Sequence, residues 1–316
     1  MIFSTKVPVK KSAFEIDYSS KIVLLGSCFS ENIETKLDYF KFQNCGNPFG
    51  IIFNPISIEN LIRRAVLGIE FTENDIFFHN GLWKCFEVHS QLNGEYKHGL
   101  QKHLNLVLKD FRNQLLSASH LIITYGTSWV YKNTASNQVV ANCHKVPQNQ
   151  FLKYILSIDS IEKSIQNTID LVSKFNSKCH VIFTISPVRH LKDGLVENTQ
   201  SKAHLFSALH KVLNLNQHCS NYFPSYEILL DELRDYRFYA DDLLHPSKMT
   251  IDCIWERFCE TYCNDKTRLI SAEIDGLNKA IAHRPMNQNS ESFEKFTANL
   301  QLKIAEFSKS HPTIKF

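Results

Sequence analysis

Short β-branched runs alternate with helical stretches along most of this chain. That alternation confines it to folds built on a parallel sheet with helices on both faces. Leu121-Ile122-Ile123-Thr124 and Val181-Ile182-Phe183-Thr184 are the clearest runs, bounded by Gly126 and Pro187. The pattern predicts core strands at Lys21–Gly26, near Lys41–Cys45, and at Leu121–Tyr125, Cys179–Ile185 and Tyr222–Glu227. Phe151 to Phe175 places Leu152, Ile155, Leu156, Ile158, Ile161, Ile165 and Ile169 at helical spacing. Ser57–Leu67 reads as another helix, capped by Ser57 with Asn60 at its third position.

Two stretches, about 71–118 and 128–143, interrupt the alternation as insertions. Asp75–Ser90 reads as a hairpin turning at Asn80-Gly81, a dipeptide suited to the left-handed turn of a two-residue loop. Trp129-Val130-Tyr131 and Val139-Val140-Ala141 can pair across Lys132–Gln138. Both belong near the sheet edge, where loops shape ligand sites in open α/β folds. The main domain is expected to span residues 1–264. Two polar helices, Thr267–Ala282 and Ser290–Ser308, joined by His283–Ser290, are expected in a 265–316 extension that packs on the core or mediates self-association.

With 316 residues, 43% of them hydrophobic, the chain can bury a substantial core. Its net charge of +3 is small and its basic residues form no long run, so there is no electrostatic footprint for nucleic acid. Met1 to Lys11 lacks the apolar stretch of a secretory leader, and no segment approaches the ~20 apolar residues of a membrane span. Nine scattered cysteines without CxxC spacing fit free thiols better than a disulfide framework. The expectation is a soluble, cytoplasmic protein with neither a nucleic-acid nor a membrane partner.

Chemistry concentrates in two segments. The apolar run Lys21–Leu25 ends in Gly26-Ser27-Cys28-Phe29-Ser30, and a helix begins at Glu31. This layout presents a hydroxyl at the carboxyl edge of a sheet, with free helix-start amides facing any developing negative charge. Far downstream, Asp242-Leu243-Leu244-His245-Pro246 holds a carboxylate and an imidazole three residues apart, just before another helix. A serine hydroxyl needs a base to take its proton, and a carboxylate on the far ring nitrogen fixes the tautomer of that base. Asp241 is a competing carboxylate, but D-x-x-H spacing favours Asp242. Each half is common alone: Gly-Ser after a strand is ordinarily a turn, and D-x-x-H before a helix is ordinarily a cap. Together, at the first strand and after the last, they point to a serine hydrolase.

Arg189 and His190 follow a core strand at the same edge and suit an anionic substrate group, unless Arg189 pairs with Asp193 or Asp235. His144 and Lys145 would line the same pocket. His79, His89, His98 and His103 lack H-E-x-x-H spacing and any cysteine partner, so they are read as hairpin and surface histidines rather than metal ligands. Phe77, Phe78, Trp83 and Phe86 suit a half-buried hairpin.

The serine segment and the distant D-x-x-H together resemble the SGNH (GDSL-like) hydrolase superfamily. Gly26-Ser27-Cys28-Phe29-Ser30 is similar to the signature of its GSCFA branch. Asn47-Pro48-Phe49-Gly50, Gly126-Thr127-Ser128-Trp129, Asn142-Cys143-His144-Lys145, Ser186–His190, Tyr222–Glu227 and Asp231 through His245 agree, so the resemblance covers about residues 15–260. It implies a three-layer α/β/α sandwich of flavodoxin-like kind with a mostly parallel sheet, hairpin insertions and a C-terminal helical extension. It implies Ser27 as nucleophile, His245 as base and Asp242 as its orienting partner. Oxyanion donors would be the amide of Ser27 or Cys28, that of Gly50 (preferred to Gly46), and a side-chain amide. The superfamily's asparagine is replaced by Ser128-Trp129 here, leaving Asn142 or Asn47 for the last role. Cys28 as nucleophile is a further alternative. The implied activity is removal of a small O-acyl group from a carbohydrate or related metabolite, with no metal or organic cofactor. O-acyl transfer with the same triad, or a non-catalytic binding module, are the rivals.

Overall fold

The computed structural model of the chain describes residues 5–283 and 291–316. Its first half runs β1 Lys21–Gly26, α1 Cys28–Tyr39, β2 Gln43–Gly46, α2 Pro55–Leu67, β3 Phe77–His79, β4 Leu82–Lys84 and α3 Lys97–Ser117. Then come β5 His120–Tyr125, β6 Trp129–Asn133, β7 Val139–Val140, β8 Phe151–Ile155 and α4 Ile158–Phe175. The chain continues through β9 His180–Ile185, α5 Leu195–Leu215, β10 Ser220–Tyr222 and the short α6 Ser225–Glu227. It ends with α7 Lys248–Tyr262, α8 Asp265–Ala282 and α9 Glu291–Ser310.

Strands covered on both faces lose the inside–outside alternation of half-exposed ones, and every residue of β5 and β9 is buried. Five strands form a parallel sheet in the order β10-β9-β5-β1-β2. The order reverses between β1 and β5, which opens a crevice at their carboxyl ends. Alternate residues of β1 serve opposite layers. Val23 and Leu25 pack with α2, α3, α4 and α5, whereas Ile22 and Leu24 pack with α1 and α7. The expected three-layer α/β/α sandwich is therefore the observed one.

Sheet and helices differ from the sequence reading where a local pattern fits two structures. Phe151–Ile155 is a strand, not the first turn of a helix, because it pairs antiparallel with all of β6. The helix starts after it, capped by Ser157, whose hydroxyl accepts from the Ser160 amide. α2 begins two residues earlier than expected. Asn54 is its cap, accepting from Ser57 N–H at 2.9 Å, with Pro55 at the first position, where a missing N–H costs nothing. The last strand ends at Tyr222, and Ser225–Glu227 is helical.

The hairpin turns at Asn80 (φ 49°) and Gly81 (φ 78°), and β6 pairs with β7 as well as β8. α3, within the stretch read as an insertion, buries Leu100, Leu104, Leu108, Phe111 and Leu115 in the main core. α8 lies beside α1, with Tyr39 Oη donating to Asp275, and Ile274 and Leu277 pack with Phe307 and Ile314. The extension thus packs on the main domain and on itself. Of the expected connector His283–Ser290, only His283 falls within the described residues; Ser290, the expected start of the second helix, lies outside them. No helix among the described residues is long and apolar enough to cross a membrane.

Candidate active site

The carboxyl edge of the sheet is assembled from loops that each turn directly out of a strand. Gly26 ends β1 at φ 149°, and a Cβ there would stand 2.4 Å from the Thr124 carbonyl oxygen. Only glycine lets β1 approach β5 this closely. Ser27 follows as the cap of α1: its amide donates to Thr124 C=O (3.1 Å) and its Oγ accepts from Phe29 N–H (3.3 Å). The segment after β2 crosses over this turn, with Ile52 N–H donating to Gly26 C=O and Gly126 N–H to Phe53 C=O. Ser27 is fully buried beneath it.

His245 and Asp242 meet as their spacing requires, with Nδ1 to Oδ2 at 2.6 Å. The amides of Leu244 and His245 both donate to the other carboxylate oxygen at 2.9 Å. These two amides, then the imidazole, hold the Asp242 pKa down to about 2. With Nδ1 committed to the carboxylate, Nε2 is left for proton transfer. Leu244 C=O accepts from Arg189 N–H (3.3 Å), which docks the D-x-x-H loop against the end of β9. α1 and α7, which begin just after Ser27 and His245, pack on the same sheet face. Ser27 Oγ and His245 make no hydrogen bond with each other in this structure.

The backbones of β1 and β9 are two strand spacings apart, roughly 10 Å, and two buried groups, His190 and Lys202, lie at these strand ends. His190 Nε2 is buried without a partner, 3.0 Å from where a Cβ on Gly126 would sit. Burial, then the nearby Lys202 and His245, push its pKa down to about 3, so its imidazole is neutral. Lys202, from α5, is fully buried and donates to the carbonyls of Gly126 (2.6 Å) and Ser186 (2.7 Å), tying the ends of β5 and β9 together. Burial pulls its pKa down to about 7. The sequence reading missed Lys202. Its only signal was position: Asn198, Ser201, Lys202, Leu205, Ala208, Leu209 and Val212 form the buried stripe of α5.

The expected oxyanion donors separate into free and committed groups. The Cys28 amide, in the first turn of α1, has no intrahelical carbonyl to bond and faces its own thiol sulfur. Its thiol is pushed above the ordinary cysteine value by burial and then by Glu31, so it is not a thiolate. Gly50 N–H, by contrast, already donates to Asn47 C=O at 2.7 Å, and Gly46 N–H donates to Glu34 (3.1 Å). The Asn47 side chain is buried beside the serine turn. Its Oδ1 accepts from Gly26 N–H (2.8 Å) while Nδ2 has no partner. Ser128, at the position where the resemblance implies an asparagine, is bound to Ser201 through both amide and hydroxyl.

Beside this edge lies a cavity of about 480 Å³. Asn142, Arg189, His190 and His89 line it; Ser27, Asn47, Asp242, His245 and His144 do not. Asn142 accepts from His144 N–H through Oδ1 (2.7 Å), which leaves its Nδ2 for a ligand. His144 instead is buried, with Nε2 against Cys85 C=O at 2.7 Å, so it ties the hairpin to the following loop. Lys145 likewise serves the hairpin through its carbonyl, which meets His79 Nε2. Arg189 takes neither expected carboxylate. Asp193 pairs with Lys153 and Asp235 with Arg237, while the Arg189 guanidinium stacks on Tyr239 and Tyr236.

A family model described as "GSCFA family" matches residues 21–258, and a second, "GSCFA domain protein, C-terminal domain", matches residues 274–316. No curated protein matches the chain.

Proposed function

The chain belongs to the GSCFA family, and from that premise we propose that it is a serine-dependent esterase of the SGNH kind, acting on small O-acyl groups. The observation that carries this reading is the Asp242–His245 contact of 2.6 Å, docked against β9 two strands from a serine at the start of α1. In the proposed reaction Ser27 Oγ attacks the ester carbonyl while His245 Nε2 accepts its proton. The Cys28 amide and Asn47 Nδ2 stabilise the oxyanion; the first opens α1 beside Ser27, and the second is a buried donor without a partner at the serine turn. Collapse of the tetrahedral intermediate breaks the ester C–O bond, and His245 returns the proton to the leaving alcohol. Water, deprotonated by His245, then releases the acid and regenerates Ser27.

The long 3.3 Å bond from Phe29 N–H to Ser27 Oγ must be given up before attack, and the overlying 47–53 segment must admit the substrate. That same burial, the lack of a Ser27–His245 hydrogen bond and Ser128-Trp129 in place of the expected asparagine favour a non-catalytic module, in which Ser27 is only a helix cap. Transfer of the acyl group to an acceptor hydroxyl would use the same groups and differ only in products. Nine cysteines without a disulfide support a reducing compartment such as the cytoplasm.

Fluorophosphonate labelling of the purified protein, with Ser27→Ala and Cys28→Ala in parallel, tests the reading. Labelling lost only in Ser27→Ala is expected. A folded wild type that does not label moves the binding module ahead, and loss confined to Cys28→Ala would name a different nucleophile.

A further inference from the structure

The cavity beside the D-x-x-H loop has an electrostatic character that the proposed ester chemistry does not require. Arg189 and Lys192 both line it, and neither has a carboxylate partner among the described residues. The acid on its wall, Asp193, is already taken by Lys153. Lys153 itself lies over the rings of Trp129 and Tyr131, and its pKa is lowered by burial and then by the charge of Lys192. The positive charge is therefore uncompensated.

Arg189 is also held in place before any ligand arrives. Its guanidinium carbon lies 4.5 Å from the Tyr239 ring centre and 5.3 Å from that of Tyr236. Its contact with Tyr236 Oη is long, at 3.5 Å, which leaves the other N–H donors free. A planar fork fixed by stacking loses little further freedom on meeting a planar or tetrahedral oxyanion. Its own main chain is bonded to Leu244, the residue before His245, so the cavity wall and the D-x-x-H loop are joined at Arg189.

We propose that this cavity selects substrates bearing an oxyanion group, a carboxylate or a phosphate, gripped by Arg189 with Lys192. The neighbouring aromatic wall would take the rest of the molecule. As a statement about substrate the inference rests on the esterase reading; as a statement about ligand binding it stands alone. The test therefore has two arms.

In the first, phenyl phosphate, benzoate and benzyl alcohol are titrated calorimetrically into the full chain, its Arg189→Gln variant and its Lys192→Gln variant. Either anion should bind at least about tenfold more tightly than the alcohol, and Arg189→Gln should weaken the anion about 10–100-fold. Lys192→Gln, at an exposed position, should weaken it less and guards against a folding defect in the first variant. Which anion binds identifies the group. In the second arm, kcat/KM is measured for 4-acetoxyphenyl phosphate, 4-acetoxybenzoate and phenyl acetate. The anionic-to-neutral ratio should fall about tenfold or more in Arg189→Gln, mainly through KM. Equal binding of anions and alcohol, or anion binding unchanged in both variants, overturns the proposal. Anion binding without Ser27-dependent turnover of any ester upholds the subsite and rejects the esterase.

Discussion

Replacing Lys202 with methionine should change how stability depends on pH. Lys202 Nζ bonds two carbonyls, Gly126 and Ser186, and a neutral amine has two N–H groups, so both bonds survive loss of the proton. Burial lowers its pKa from 10.5 to about 7 in the folded chain. Between those values the unfolded chain holds a proton that the folded chain has lost, so stability rises with pH. The contribution is full above 10.5, shrinks as pH falls towards 7, and is gone below it. At about 1.36 kcal/mol per pH unit, the wild type should gain about 2–3 kcal/mol from this group between pH 6 and pH 9.

Lys202→Met avoids burying a charge but leaves two buried carbonyls unpaired, at about 1–3 kcal/mol each. At pH 6 these terms are of similar size, so the slope and not the offset is diagnostic. Urea denaturation of both proteins at pH 6 and pH 9 measures it; the buried neutral histidines His120 and His180 cancel because both proteins carry them, and His190 loses only the Lys202 part of a shift that burial dominates. Wild-type and variant curves that stay parallel within about 0.5 kcal/mol would refute the buried-lysine argument.

Two other expectations follow from single contacts. Asn54→Ala removes the buried cap of α2 and its bond to Ser57 Oγ, and should cost about 1–2 kcal/mol, read as a lower urea midpoint with unchanged m-value; an unchanged midpoint would show the cap contributes nothing. Asp242→Asn keeps the shape of the loop but cannot hold the same His245 tautomer, so fluorophosphonate labelling should slow by roughly 10³–10⁴. Because Asp242 titrates near 2, wild-type labelling should show no step at the ordinary carboxylate value of 3.8, and such a step would mean the 2.6 Å contact does not persist in solution.

Much of this molecule is local, and what is local could be read from the sequence. β1, β5 and β9 were found within a residue of their ends because a run buried on both faces needs no partner to be recognised. The Asp242–His245 contact is set by a spacing of three residues in one loop, and the Asn80-Gly81 turn by the conformations those two residues tolerate. The tertiary structure decided everything that depends on which elements become neighbours. Leu152 and Ile155 fit a helix or a strand equally, and pairing with β6 chose the strand. Whether Gly50 or Asn47 offers a free donor was settled by the loop folding back so that Gly50 bonds Asn47. Arg189 found two tyrosines instead of a carboxylate because the D-x-x-H loop docks beside β9, and Lys202 became a buried tie between strands only once α5 lay across their ends. Periodicity and short spacings carry the first kind of information; partner choice among distant residues is a property of the packed sheet edge and of no segment alone.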